Sequence, residues 1–165
     1  MEIIYPNDSF FKSFHEALDS VAREQIYIEM IEAKSLEEVS AFQQKLITNN
    51  WPVYYAVDSG RVVGWADITP GSNPRMSHRG FLGMGLIKEF RGKGLATELL
   101  TKTLAHAESI GLEKIELSVY TENKSAIKLY KKCGFTEIGV VKHYRKLNGR
   151  YFDCLEMELF FNNRL

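Results

Sequence analysis

The run GMGLIKEFRGKGLATELL, residues 83–100, carries the most chemical information in the chain. An extended segment leads into a turn containing Gly92 and Gly94, and the turn opens an amphipathic helix. Free backbone N–H groups at a helix N-terminus point outward together with the positive end of the helix dipole. A phosphate can therefore be held there mainly by main chain, with Arg91 and Lys93 adding charge. Each dipole interaction is worth roughly 0.3 to 1 kcal/mol, so several converging N–H groups are needed. Two other phosphate motifs are excluded. A P-loop needs GxxxxGK followed by Ser or Thr, whereas Gly92-Lys93 is followed by Gly94 and Ile87 stands where the first glycine belongs. A dinucleotide fingerprint needs GxGxxG, whereas Lys88 and Thr97 occupy the third position after the two glycine pairs. On the residues alone, a tight strand-to-helix turn that uses glycine only for packing stays open beside the anion-binding reading.

A second constellation lies at ELSVYTENKSAIKLYKKCGF, residues 116–135. Asn123 suits a helix N-cap, worth about 1 kcal/mol, and Tyr130 follows seven residues later, two turns along the same face. Its neighbours Ile127 and Leu129 would equally suit a core aromatic. Cys133 and Cys154 form no CxxC pair and have no nearby His at ligand spacing, so both read as ordinary reduced thiols and no metal site is expected. GxSxG is absent, so no acyl-serine enzyme is expected. His15, His106 and His143 read as surface or satisfied side chains.

The elements that must position these residues follow from periodicity and punctuation. Ile3 and Ile4 make a short extended start, and Phe10, Phe14, Leu18 and Val21 recur at helical spacing. Ser35 and Glu38 form a capping-box pattern ahead of Leu36, Val39, Phe42 and Leu46, in a segment that ends near Asn49, Asn50 and Pro52. Val53–Val57, Ser59-Gly60 and Arg61–Thr69 read as a hairpin, followed by a loop through Pro70, Gly71, Asn73 and Pro74. His78 to about Ile87 is extended, with Gly80, Gly83 and Gly85 marking a bulge or a close backbone approach. Leu95 to Ala107 is helical and stops at Gly111. Ile115–Val119 is a strand, Asn123 caps a helix that Gly134 ends, and Asn148-Gly149 joins two final strands. The order is strand, two helices, three strands, helix, strand, helix, two strands. That is a mixed α/β chain whose strand-helix-strand unit around Gly94 is a parallel crossover.

The length of 165 residues fits one domain, 1–165, with a core of its own. With 45% apolar and 25% charged residues, and 21 Lys+Arg against 21 Asp+Glu, the chain reads as globular, and a generally basic nucleic-acid binder is excluded. No apolar run approaches the roughly 20 residues of a membrane span. MEIIYPNDSFF lacks the cationic start of a secretory signal, so the expected compartment is the cytoplasm. The balance conceals an asymmetry: the first sixty residues hold ten acids against four bases.

Arg91, Gly94 and Ala96 in RGKGLA resemble the acyl-CoA pyrophosphate loop of the GNAT superfamily of N-acyltransferases. The second constellation, with Asn123, Ala126, Tyr130, Gly134 and Phe135, is similar to that family's strand and helix beside the thioester end of coenzyme A. The resemblance covers roughly residues 53–160, and the terminal KLNGRYFD hairpin resembles members that modify amino-acid, polyamine or protein N-terminal amines. Residues 1–50 match only in being helical, on the side where such enzymes hold their acceptors. The resemblance implies a central, mostly antiparallel sheet with one parallel splayed pair, flanked by helices. It implies acetyl-CoA bound by Gly85 and Leu86 on the strand, by Arg91, Gly92, Lys93, Gly94, Leu95 and Ala96 in the loop, and by Asn123 and Ala126. Acetyl would pass directly to a primary amine of a small molecule, polyamine, amino acid or peptide N-terminus, with Tyr130 protonating the departing thiolate.

Some members place a glutamate five residues before the motif asparagine, where this chain has Ser118. Glu116, on the same strand face, is therefore the preferred base ahead of His78 or a water chain, acting on an ammonium of pKa near ~10.4. The acid-rich N-terminal region would favour a cationic acceptor. Exposed strand edges and the closing hairpin fit a homodimer. No nucleic-acid or membrane partner is expected. The rival readings are a non-catalytic acyl-CoA sensor and a nucleotide-phosphate binder.

Overall fold

The computed structural model describes residues 1–161. Two of its α-helices begin at side-chain caps, Ser35 and Asn123, and the other two do not. Helix α1, Phe11–Ala22, follows a single 3-10 turn, and turns Phe14, Ala17, Leu18 and Val21 inward. Helix α2, Leu36–Thr48, opens on the full capping box: the Ser35 hydroxyl accepts from the Glu38 N–H at 3.2 Å, and the Glu38 carboxylate accepts from the Ser35 N–H at 3.3 Å. Helices α3, Leu95–Ser109, and α4, Lys124–Lys132, complete the set.

Seven strands form one sheet: β1 Glu2–Ile4, β2 Val53–Asp58, β3 Arg61–Pro70, β4 Arg79–Leu86, β5 Lys114–Tyr120, β6 Thr136–Leu147 and β7 Arg150–Phe160. Their order is β1-β2-β3-β4-β5-β7-β6, and only β4 and β5 run parallel. The expected mixed sheet and the strand-helix-strand crossover through α3 are therefore present. Both central residues of the β6–β7 turn, Asn148 and Gly149, have positive φ (50° and 76°), as an Asn-Gly hairpin turn requires. Strand β6 is the long outer edge, exposed along almost its whole length. Among the described residues no helix is long and apolar enough to cross a membrane.

Successive strand residues face opposite sides, which assigns the helices to the two faces. Tyr55 stacks on Phe14 of α1 at 4.8 Å, whereas Tyr54 meets His106 of α3. Thus α1 and α3 cover opposite faces of β2 and β3. The interior divides into two apolar clusters. One gathers α1, α2, β2 and β3 around Phe14, Leu46, Tyr55 and Trp65; the other gathers Leu100, Ile115, Tyr130, Phe135 and Met157. They meet where β4 and β5 part. Those two strands are paired only at Arg79–Phe81 against Lys114–Glu116. Beyond Phe81, the β5-facing edge of β4 has no strand partner, and a wedge opens between them.

The glycines of β4 serve different ends. A Cβ on Gly85 would lie 2.4 Å from Cη2 of Trp65, so the buried indole, rather than a cofactor, occupies the room left by that missing side chain. At Gly83 the nearest obstacle is the Asp67 carboxylate at 3.6 Å, an ordinary contact. Burial raises the Asp67 carboxyl to about 7.

Gly85→Ala should destabilise the fold by about 1 to 3 kcal/mol through overpacking against Trp65, measured by denaturant unfolding; an unchanged midpoint would show that the indole yields freely. Because the Asp67 carboxyl stands above its ordinary 3.8 in the folded state, the native protein binds more protons than the unfolded chain between about pH 4 and 7. Its contribution to stability is thus lost as pH rises through that window. Asp67→Asn should raise the melting temperature at pH 8 and leave it nearly unchanged at pH 4.

Candidate functional site

The wedge is a cavity of about 790 Å³, walled by β4 and β5, the start of α3, α4 and the irregular segment that follows α1. At its α3 end the main chain is shaped by two glycines. Gly92 has φ +73° and Gly94, the N-cap of α3, has φ +84°; a Cβ on either would meet nothing within 4 Å. They are thus glycine for backbone conformation, not for want of room. The amide N–H groups of residues 92–96 find no protein acceptor among the described residues. Five consecutive unpaired donors at the positive end of a fifteen-residue helix suit a diphosphate.

The loop's side chains do less than expected. Arg91 does line the cavity, but its guanidinium grips the Glu24 carboxylate through both terminal nitrogens, with Nη1–Oε2 at 2.8 Å. Its Nε donates to the Leu86 carbonyl at 2.9 Å, and the group lies 4.5 Å from the Tyr27 ring centroid. Hydrogen bonding to Glu24 raises its pKa further. Arg91 therefore fastens the segment after α1 to the end of β4, and its charge is already matched. Lys93 and Leu95 lie outside the cavity lining: the Lys93 ammonium sits over Phe90, and the Leu95 side chain is buried in the core. Gly85, Leu86, Gly92, Gly94 and Ala96 all face it.

The α4 end holds the second constellation. Asn123 caps α4, its Oδ1 accepting from the Ala126 N–H at 3.2 Å, and both residues line the cavity. Tyr130 also lines it, 8% exposed, packed edge-on against Phe135. Its hydroxyl has no hydrogen-bond partner among the described residues, and burial raises its pKa, so the phenol stays protonated at neutral pH.

The expected base stands differently. Glu116 faces the cavity, but its Oε2 lies 2.9 Å from Arg79 Nε and its Oε1 lies 3.5 Å from Lys114 Nζ, so each oxygen already has a cation. His78 is exposed and lies outside the cavity lining. Of the ten acids in the first sixty residues, only Glu29 lines the cavity, which narrows the expected acidic wall to one side chain.

Sequence reasoning gave no site role to Tyr27, Glu29, Tyr120, Tyr144 and Glu156, and read Cys154 as an ordinary thiol, yet all six line the cavity. They come from β5, β6, β7 and the segment after α1. Only strand register reveals that Glu156 of β7 lies opposite Ser118 of β5, whose hydroxyl is 2.8 Å from both carboxylate oxygens. Burial pushes the Cys154 thiol up to about 12, with Glu156 adding to the effect, so it is not a thiolate nucleophile at neutral pH. Among the described residues no cluster of His, Cys, Asp and Glu could hold a metal ion.

Residues 14–135 match the model of the acetyltransferase (GNAT) family. The N-alpha-acetyltransferase MAK3 of Arabidopsis thaliana is 30% identical over 139 residues, covering 82% of this chain and 71% of that protein. The L-amino acid N-acetyltransferase AaaT of Escherichia coli K12 is 34% identical over 99 residues, 59% of this chain and 61% of that protein. Among solved structures, yncA, a putative acetyltransferase from Salmonella typhimurium with its cofactor acetyl-CoA, superposes with a TM-score of 0.94. It covers 100% of this chain and 96% of its own, at 19% identity.

Gly94→Ala would force a Cβ into a left-handed conformation costing roughly 1 to 2 kcal/mol and turn the donors at the start of α3. Calorimetry should show the dissociation constant for coenzyme A rising at least fivefold, and an unchanged constant would place the diphosphate elsewhere.

Proposed function

Because the chain belongs to the GNAT family of acetyltransferases, which use acetyl-CoA, we propose that it moves acetyl directly from acetyl-CoA to a primary amine while both substrates are bound. The observation that carries this reading is the row of unpaired amides at residues 92–96, opening into a wedge that ends at the unpartnered Tyr130 hydroxyl. Those amides receive the diphosphate. The open edge of β4, from Gly83 to Leu86, runs alongside the pantetheine arm, and its main-chain donors polarise the thioester carbonyl. The Asn123 side chain keeps α4 in register with the thioester end. Tyr130 gives its proton to sulfur as the carbon–sulfur bond breaks, which is the role of a general acid with a raised pKa.

Direct transfer needs no enzyme-bound acetyl. The raised Cys154 thiol and the absence of a GxSxG elbow both support that route. The acceptor class we propose is a primary amine carried by a small molecule, polyamine, amino acid or peptide N-terminus, with the reaction in the cytoplasm. The exposed edge strand β6 supports pairing of two copies.

Tyr130→Phe keeps the ring packed on Phe135 and removes only the hydroxyl. Turnover should fall at least tenfold with the acetyl-CoA dissociation constant within twofold of wild type. Unchanged turnover would remove Tyr130 as the acid.

A further inference from the structure

The carboxylates around the cavity are of two kinds. Glu116 is matched by Arg79 and Lys114, and Glu24, behind the wall, by Arg91. Glu156 and Glu29, both lining the cavity, have no ion-pair partner among the described residues. The neighbouring guanidinium, Arg145, donates to the backbone carbonyls of Gln25 at 2.8 Å and Glu29 at 3.4 Å and lies over the rings of Tyr120 and Phe152. Glu156 is held by the Ser118 hydroxyl, and Glu29 accepts from the Tyr144 hydroxyl. Tyr144 also feels Glu156, so the two carboxylates share one end of the cavity.

An independent observation lies beside them. Tyr120 is 4% exposed and lines the same cavity, yet its hydroxyl is buried with no hydrogen-bond partner among the described residues. A buried hydroxyl left unpaired costs about 1 to 3 kcal/mol, so it marks a polar group that the chain itself does not supply. Two unmatched carboxylates and an unused hydroxyl describe a ligand that is cationic and rich in N–H donors.

We propose that Glu156, oriented by Ser118, is the catalytic base that takes a proton from the acceptor ammonium, and that Glu29 selects acceptors carrying a second positive charge. This rests on the acetyl-transfer reading above. The partners of Glu156, the Ser118 hydroxyl and the Cys154 thiol, are both neutral donors, so the carboxylate keeps lone pairs and an uncompensated charge with which to receive a proton. Around Glu156 stand the Cys154 thiol, the Tyr144 phenol and Glu29, and the neighbouring cation, Arg145, is turned onto the Gln25 and Glu29 carbonyls and the Tyr120 and Phe152 rings rather than onto a carboxylate. Glu156 takes one proton from R–NH3⁺. The freed lone pair forms the bond to the carbonyl carbon, the carbon–sulfur bond breaks, and sulfur leaves with its electron pair. Tyr130 protonates the sulfur and regains a proton from the new amide nitrogen, and Glu156 releases its proton to solvent. One ammonium and one thioester thus become one amide, one thiol and one proton. The carboxylate absent at position 118 is supplied from the neighbouring strand, with the serine as its positioning residue.

The test follows thiol release with acetyl-CoA and a panel of n-butylamine, 1,4-diaminobutane, spermidine, L-lysine and L-phenylalanine. In Glu156→Gln, kcat/KM at pH 7.5 should fall at least 100-fold, within the span expected for general-base removal. The residual rate should climb about tenfold per pH unit towards pH 9.5 as the amine deprotonates itself, with acetyl-CoA affinity within twofold of wild type. Ser118→Ala, which removes only one hydroxyl, should lose roughly tenfold in kcat. It reports on the same carboxylate should Glu156→Gln fold poorly. Wild type should prefer 1,4-diaminobutane to n-butylamine at least tenfold in KM, and Glu29→Gln should abolish that preference. Wild-type turnover accompanied by Glu156→Gln activity within threefold and an unaltered pH profile would overturn the base assignment alone. A diamine preference that survives in Glu29→Gln, or none in wild type, would overturn the selectivity. No turnover of any amine by wild type would overturn both readings together.

Discussion

Strands β4 and β5, the parallel neighbours that the chain joins through α3, hydrogen-bond over three residues and then part. Were they paired throughout, no wedge would open between them. Their divergence leaves main-chain groups on both inner edges without partners, which is costly in a closed interior and useful where a ligand runs between them. The helix N-terminus at Gly94, the Asn123 cap, Tyr130 and the Ser118–Glu156 pair are all arranged around that opening.

The opening is held by contacts remote from one another in sequence. Arg91 clamps Glu24 across 67 positions and takes the Leu86 carbonyl, tying the segment after α1 to the end of β4. Arg145 reaches the carbonyls of Gln25 and Glu29 from β6, and Tyr144 reaches the Glu29 carboxylate. The irregular stretch from Arg23 to Lys34 is thus fastened at both ends of the wedge. An arginine that looks like an anion ligand in the motif acts here as a fastener, since a guanidinium already paired with a carboxylate brings little net field to a phosphate.

Charge pairing sorts the site more sharply than composition does. Glu116 and Glu156 are both carboxylates on the cavity wall, and β5 and β7 are hydrogen-bonded neighbours. Their surroundings differ: Arg79 and Lys114 flank the first, while a serine, a thiol and a phenol flank the second. A group matched by two cations is a structural ion pair, and one held only by neutral donors can still exchange a proton.

What could be read in the sequence was what depends on near neighbours along the chain. The Ser35–Glu38 box, the Asn148-Gly149 turn, the Asn123 cap and the Gly92–Gly94 turn each arise from φ preferences and hydrogen bonds within a few residues, so the elements, their order and the amide cradle were all legible there. The family motifs were legible for the same reason. Strand register and side-chain reach were not. That Trp65 fills the room over Gly85, that Glu156 faces Ser118 from 38 positions away, and that Arg91 turns to Glu24 depend on which strands lie side by side and how far they splay. A shift of one residue in pairing would send Trp65, Ser118 or Glu156 to the other face of the sheet, so only the assembled sheet decides which carboxylate is free to act.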